Sequence, residues 1–172
     1  DRLPGPGASI VMAPFTHLRR PSRFSDGSYG VYYAARSLEP AVRETASHRG
    51  RFLAATHEPP CEVDMRAYVG RPVKPFLDIR PARYSALHDP DDWGTPQKFA
   101  RPLREKGHWG LVYRSVRHAG GECIAAFKPQ AVIANNGPRR GLGGPSPGQQ
   151  KAATVHYERL AKSPKIEDIW QG

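Results

Sequence analysis

The sequence predicts an α+β fold, and three observations carry that expectation. Gly and Pro make up 35 of the 172 residues, about a fifth of the chain against roughly an eighth on average, which argues against a bundle of helices. Seven short stretches either alternate apolar and polar side chains or concentrate aromatic and β-branched ones. Only two stretches carry helix signals, one long and one short, which leaves helices in the minority among short, largely antiparallel strands.

In chain order, the first strand is expected at residues 29–35, where Val31, Tyr33 and Ala35 share a face. The long helix follows at 38–56, with Leu38, Ala41, Val42, Ala46, Phe52 and Leu53 near a 3.6-residue period. Ser37 is placed to cap it, and Pro40 is tolerated only because it falls in the first turn. The cleanest alternation spans 62–69, with Val63, Met65, Ala67 and Val69 opposite Glu62, Asp64, Arg66 and Tyr68. Gly70, Arg71 and Pro72 are read as a turn into a strand at 73–79. Thr95 and Pro96 form a cap and first-turn pair for a short helix to about 106, in which Pro102 predicts a kink or an early stop. Residues 109–116 and 122–127 read as a hairpin across Gly120 and Gly121, and 131–134 and 154–160 as further strands. Eight of the twelve residues from 137 to 148 are Gly or Pro. Strand-like sequence resumes after them, so 135–150 is expected to be a mobile surface loop within one domain spanning 1–172.

Composition narrows the class. A chain of this length folds as one domain and buries about two-thirds of its unfolded surface. The longest unbroken apolar runs, such as 123–127, hold five residues, whereas a membrane span needs about 20. No basic segment followed by an apolar core opens the chain, so no signal peptide is expected, and a start on Asp1 rather than Met points to a trimmed terminus. The formal charge is +10, and each half of the chain carries 13 basic and 8 acidic residues, so the excess is spread over the fold rather than held in a tail. A dispersed positive charge favours anionic partners without naming one. Nineteen of the 26 basic residues are Arg, whose planar fork suits phosphates and carboxylates. The two cysteines, Cys61 and Cys123, make no disulfide framework, and no Cys/His grouping has zinc spacing, so a reducing cytoplasm and a metal-free site are expected.

No standard phosphate loop, nucleophile elbow or paired-carboxylate motif occurs. Three segments stand out: RFSDGSYGVYYAA at 23–35, EPAVRET at 39–45, and GLVYRSVRHAGGECIAAFKP at 110–129. In this order, over about residues 15–134, they resemble the RES domain family, named for its Arg, Glu and Ser. The matching Arg is Arg23, which precedes an aromatic residue, a turn and a strand containing Tyr33. The matching Glu is Glu44 in the following helix, and the matching Ser is Ser115, at the end of a strand before a Gly-rich turn.

The resemblance implies a toxin of a bacterial toxin–antitoxin pair, with an ADP-ribosyltransferase-like core, that consumes NAD. It implies transfer of ADP-ribose to a protein acceptor, or else phosphorolysis or hydrolysis of NAD. It further implies a cognate antitoxin with a helix-turn-helix domain, hence a hetero-oligomer in which DNA is touched only through the antitoxin. Cleavage of the nicotinamide–ribose bond passes through an oxocarbenium-like state, and the leaving ring needs no proton, so anchoring and electrostatics dominate. In that setting Arg23 would grip the pyrophosphate, Tyr33 would stack on nicotinamide or support the ribose, Glu44 would bond ribose hydroxyls and favour the developing cation, and Ser115 would orient ribose or a phosphate. Each residue also has a structural role open to it: a solvated basic patch for Arg23, core packing for Tyr33, a surface ion pair for Glu44, and a backbone-bonded buried hydroxyl for Ser115. Tyr32 and His48 are read as packing and surface residues. A basic nucleic-acid-binding module or ribonuclease toxin is a remaining alternative, against which stands the absence of clustered charge.

Overall fold

Alternation along three short segments builds the sheet that organises the molecule. The structure, a computed structural model, describes residues 3, 7–18, 20–55, 61–134, 152–157 and 165–167. Its elements are α1 (Ala8–Thr16), β1 (Tyr32–Ala35), α2 (Leu38–Ala54), β2 (Cys61–Arg66), β3 (Gly70–Pro72), β4 (Leu77–Asp78), α3 (Gly94–Glu105), β5 (Gly110–Arg114), β6 (Glu122–Ala126), β7 (Val132–Ala134), β8 (Ala152–Tyr157) and β9 (Lys165–Glu167). Two 3₁₀ turns lie at Ala82–His88 and Pro129–Ala131. The class is α+β, as the sequence predicts.

The central sheet has the order β1-β6-β5-β4. The β5–β6 hairpin pairs Leu111 with Ala125 and Tyr113 with Cys123, and β1 pairs Tyr33 with Ala125 on the other side of β6. Only β4 runs parallel to its neighbour, β5. Smaller antiparallel sheets join β2, β8 and β9, and β3 with β7.

The two-residue period of the central strands sends their side chains to opposite faces, and both faces are covered. One face carries Leu111, Tyr113, Cys123 and Ala125, which pack with Phe24, Ile79, Leu87, Ala100 and Phe127. The other carries Tyr32, Ala34, Ile124 and Ala126, which pack with Val11 and Phe15 of α1 and with Val132. Phe24 and Phe127 are essentially without exposure, and truncating such a side chain to Ala costs about 3–5 kcal/mol. Cys123 is buried, and burial pushes its thiol up to about 12, which suits a packing residue. At the open ends of the strands, Arg36 bonds Glu122 at 2.7 Å, Glu122 also bonds Arg80, and Arg80 bonds Asp78 at 2.8 Å, lacing β1, β6 and β4 together.

Several boundaries differ from expectation. Gly70–Pro72 is a strand rather than a turn, because it finds a partner in Val132–Ala134, and the strand expected at 73–79 is reduced to Leu77–Asp78. Helix α3 starts one residue before Thr95, and the carboxylate of Asp92 takes the Thr95 N–H at 3.2 Å. It also continues through Pro102 to Glu105; Pro102 removes one helical donor to the Lys98 carbonyl, and both residues lie on the exposed side of the helix. Helix α1 carries no sequence signal of the usual kind, being apolar almost throughout and containing Pro14. It lies so close to the start of β1 that a Cβ on Gly30 would stand 2.1 Å from the Pro14 carbonyl oxygen. The Gly/Pro-rich segment expected to be a loop lies outside the described residues, as do residues 158–160 of the last expected strand. No helix among the described residues is long and apolar enough to cross a membrane.

Candidate active site

Arg23 sits at the tip of a tight turn. The Ser25 N–H donates to the Ser22 carbonyl at 3.3 Å and the Ser22 N–H to the Ser25 carbonyl at 2.7 Å. Phe24 points into the core, where it meets Tyr113 edge-on at 5.0 Å, and this fixes the opposite direction for Arg23. The guanidinium is buried, with 7 % exposure, and it is fastened at one end. Its Nη1 donates to the carbonyls of Leu87 at 3.3 Å and Asp89 at 2.8 Å, and its Nη2 to that of Pro90 at 3.4 Å. Burial lowers its pKa, while the fields of Tyr113 and Glu44 oppose the shift, and an arginine stays charged regardless. Nε–H and the second Nη2 hydrogen have no partner among the described residues, so a two-pronged donor edge remains.

Tyr33 turns its hydroxyl onto the same turn. It accepts the Phe24 N–H at 3.0 Å and shares a hydrogen bond with Ser22 Oγ at 2.9 Å. Burial pushes its phenol up to about 12, so it stays neutral.

Glu44 projects from the middle of α2, and Ser115 meets it from the turn after β5. The Ser115 hydroxyl donates to Glu44 Oε1 at 2.6 Å, and the Val116 N–H donates to the same oxygen at 3.0 Å. Ser115 Oγ in turn accepts the N–H groups of Arg117 at 3.2 Å and His118 at 3.0 Å. The hydroxyl is thus fully occupied within the protein, while Glu44 Oε2 takes no hydrogen bond from the described residues. Gly121 makes this approach possible: a Cβ there would lie 2.9 Å from Pro40 Cβ and 3.0 Å from Ser115 Cβ. A larger residue would push the helix bearing Glu44 away from the turn bearing Ser115.

Arg23, Tyr33 and Glu44 open onto one cavity of about 260 Å³, and Ser115 stands behind Glu44 rather than on the wall. The cavity also brings in residues that the sequence reading did not select: Tyr113, Trp93, His48, Arg51 and Arg117. Three of these had a signal. Glu44, His48 and Arg51 follow the i, i+4, i+7 spacing of one helical stripe, and Tyr113 lies two residues before Ser115 on a strand. Trp93 had none, because a loop delivers it. His48 is exposed, as expected, and also stacks on Trp93 with ring centroids 6.2 Å apart, while Arg51 lies 5.8 Å over the same indole. Desolvation, then Arg51 and Arg20, hold His48 below the usual imidazole value. Tyr32 packs in the second core, as expected.

The mouth of the cavity is basic. Arg51 bonds Asp91 at 2.7 Å, and Arg117 donates to the Pro90 carbonyl at 2.9 Å. The arrangement offers a cationic fork, a carboxylate oxygen and aromatic walls to one ligand. Among the described residues, no group of three or more His, Cys, Asp or Glu side chains is placed to hold a metal ion.

The family model of the RES domain matches residues 1–140, which contain every residue named in the cavity. Among curated proteins, none matches the chain. With four-fifths of its length covered by that model, this chain belongs to the RES domain family, whose members act on NAD as toxins of toxin–antitoxin systems.

Proposed function

We propose that the chain cleaves the bond between nicotinamide and ribose in NAD and transfers the ADP-ribosyl group to a protein acceptor. The observation that carries this reading is the pairing, across one cavity, of the unspent edge of Arg23 with the unspent oxygen of Glu44. A dinucleotide presents what each of them binds, a diphosphate and a ribose diol.

In this reading Arg23 takes the diphosphate by its Nε and Nη2 hydrogens. Glu44 Oε2 accepts from ribose hydroxyls and stabilises the positive charge that builds at the anomeric carbon. As the glycosidic bond breaks, its electron pair returns to the pyridinium ring, and nicotinamide leaves neutral. A nucleophilic oxygen or nitrogen of the acceptor then forms the new bond and loses its proton to water or to Glu44. Ser115 acts by holding Glu44, and Tyr33 by holding the Arg23 turn, rather than by touching the donor. The cavity is smaller than the roughly 300–1,000 Å³ of most small-molecule sites, so it takes the nicotinamide–ribose end and leaves the adenosine toward the mouth.

Arg51 and Arg117 at the mouth favour a second reading, in which inorganic phosphate or water is the acceptor and the NAD pool is depleted. Incubation with NAD labelled in the adenosine half, with and without phosphate and with and without cell lysate, separates the two. Label on a macromolecule supports transfer to protein; label on ADP-ribose 1-phosphate or on free ADP-ribose supports the second reading.

We further propose a bacterial cytoplasmic toxin held in a hetero-oligomer by an antitoxin that carries a helix-turn-helix domain, through which alone the complex meets DNA. Family members pair with antitoxins, and an electropositive cavity fits an acidic side chain or a C-terminal carboxylate placed near Arg23. Competition between NAD and the antitoxin supports this mode, whereas simultaneous binding with inhibition intact contradicts it.

A further inference from the structure

Gln97, on the second turn of α3, does not line the cavity, yet it touches both ends of the turn that carries Arg23. Its Nε2 donates to the Ser22 carbonyl at 2.8 Å and to the Ser25 carbonyl at 3.1 Å. These are the same two carbonyls that close the turn on itself, so the amide joins them from outside as a staple. Both backbone groups of Phe24, at the centre of the turn, are also spoken for: its N–H goes to Tyr33, and its carbonyl accepts the Tyr29 hydroxyl at 2.6 Å. Of the groups that hold the turn, Gln97 alone comes from α3, an element that contributes nothing to the cavity wall. An amide suits this place because it offers two hydrogens from one nitrogen, whereas a carboxylate of the same shape would face two carbonyl oxygens with no hydrogen to give.

We propose that Gln97 is a positioning residue for the NAD donor, acting through the Ser22–Ser25 turn to aim the free edge of Arg23 at the diphosphate. This rests on the reading of Arg23 as the diphosphate ligand. Misplacing a bidentate donor by a fraction of an ångström forfeits binding to the diphosphate while leaving the nicotinamide end of the cavity intact. The effect is therefore selective. Ligands that contain the diphosphate weaken, and nicotinamide alone does not.

The test is a double-mutant cycle on the full chain, with Gln97→Met and Gln97→Glu each made alone and with Arg23→Ala, read by NAD turnover, by binding of ADP-ribose and of nicotinamide, and by thermal unfolding. Gln97→Met keeps the length and removes both donors, and Gln97→Glu keeps the shape and reverses the polarity. The expected result is a rise of about tenfold in KM for NAD and a matching loss of ADP-ribose affinity, with kcat and nicotinamide affinity within about twofold. The same Gln97 substitution on Arg23→Ala should then add nothing. An equal further loss in the Arg23→Ala background, or equal weakening of ADP-ribose and nicotinamide, would mean a general structural role and overturn the proposal. Full NAD affinity in folded Gln97→Met, with Arg23→Ala impaired, overturns it while sparing the Arg23 reading. Full NAD affinity in folded Arg23→Ala overturns both.

Discussion

The hydroxyl of Ser115 lies 2.6 Å from Glu44 Oε1 and donates a hydrogen bond to that oxygen, so the two residues form one unit across the gap between α2 and the turn after β5. One carboxylate oxygen is fixed by the protein, and the other is left for a ligand.

That division ranks two substitutions. Glu44→Gln removes the charge at nearly constant volume, and turnover of NAD should fall by about 10²–10³, the range seen when an electrostatic contact to a transition state is deleted. Ser115→Ala should cost less activity, because the Val116 N–H still holds Oε1 at 3.0 Å. It should cost more stability, about 1–3 kcal/mol, because the N–H groups of Arg117 and His118 lose their acceptor. Nicotinamide release and thermal unfolding, measured on both variants, check the order; the reverse ranking in activity would assign Ser115 a direct part in the chemistry.

Arg23 has two jobs that a lysine cannot combine. Its Nη1 and Nη2 are bonded to three carbonyls, one at the end of the 3₁₀ turn and two in the loop after it, and its remaining edge faces the ligand. Arg23→Lys keeps the charge and loses the fork, so NAD turnover should fall nearly as far as in Arg23→Ala. Turnover restored by Lys would reduce Arg23 to a local charge.

Acid should destabilise the fold from just below neutrality. His88 Nδ1 bonds the Tyr84 carbonyl at 3.0 Å and Nε2 accepts the Arg114 N–H at 3.2 Å, so its neutral form is the one that fits. Burial, then Arg114 and Arg23, hold its pKa below the usual value, and His48 is lowered in the same direction. Below about 6.5 the unfolded chain therefore binds more protons than the folded one; the stability these residues contribute is complete above that pH and is lost as pH falls through their folded values. Asp26, Asp78, Asp92 and Glu122, all held below the usual carboxylate range by hydrogen bonds, extend the loss below about 4, weakly and with salt dependence because they are exposed or half-exposed. Melting temperature should rise from pH 5 to a plateau above about 6.5, and His88→Gln should flatten that rise. An unchanged slope in His88→Gln would exclude His88 as a source.

Trp93 is the cavity's optical reporter. With His48 and Arg51 against its ring, a bound ring system or a displaced Arg51 changes its surroundings. ADP-ribose or NAD should change tryptophan emission in the parent chain, and Trp93→Phe should abolish most of that change and raise KM for NAD several-fold. A ligand response that survives Trp93→Phe would place the ligand elsewhere.

The sequence showed the hairpin, the long helix and the three polar residues that share the cavity, because each rests on a local period or a short motif. Tyr33 and Arg23 were legible as a pair on the strand-and-turn segment, but the use of the Tyr33 hydroxyl as a clip on the turn was not, since it depends on a hydrogen bond nine residues apart that only the fold creates. Helix α1 was hidden by its uniformly apolar sequence, and β3 by a Gly-Arg-Pro sequence that reads as a turn until β7 arrives to pair with it. Trp93 and the carbonyls of Asp89 and Pro90 reach the site through a loop with no periodicity to betray it. Ser115 was legible as a hydroxyl ending a strand before a Gly-rich turn, and its position behind Glu44 needed the geometry.

The most direct test of the account is NAD consumption by the purified chain beside Glu44→Gln, followed as nicotinamide released with time and paired with thermal unfolding of both. The account predicts steady release by the parent and a loss of about 10²–10³ in Glu44→Gln at an unchanged melting temperature to within a few degrees. Equal release by a folded Glu44→Gln protein would contradict it.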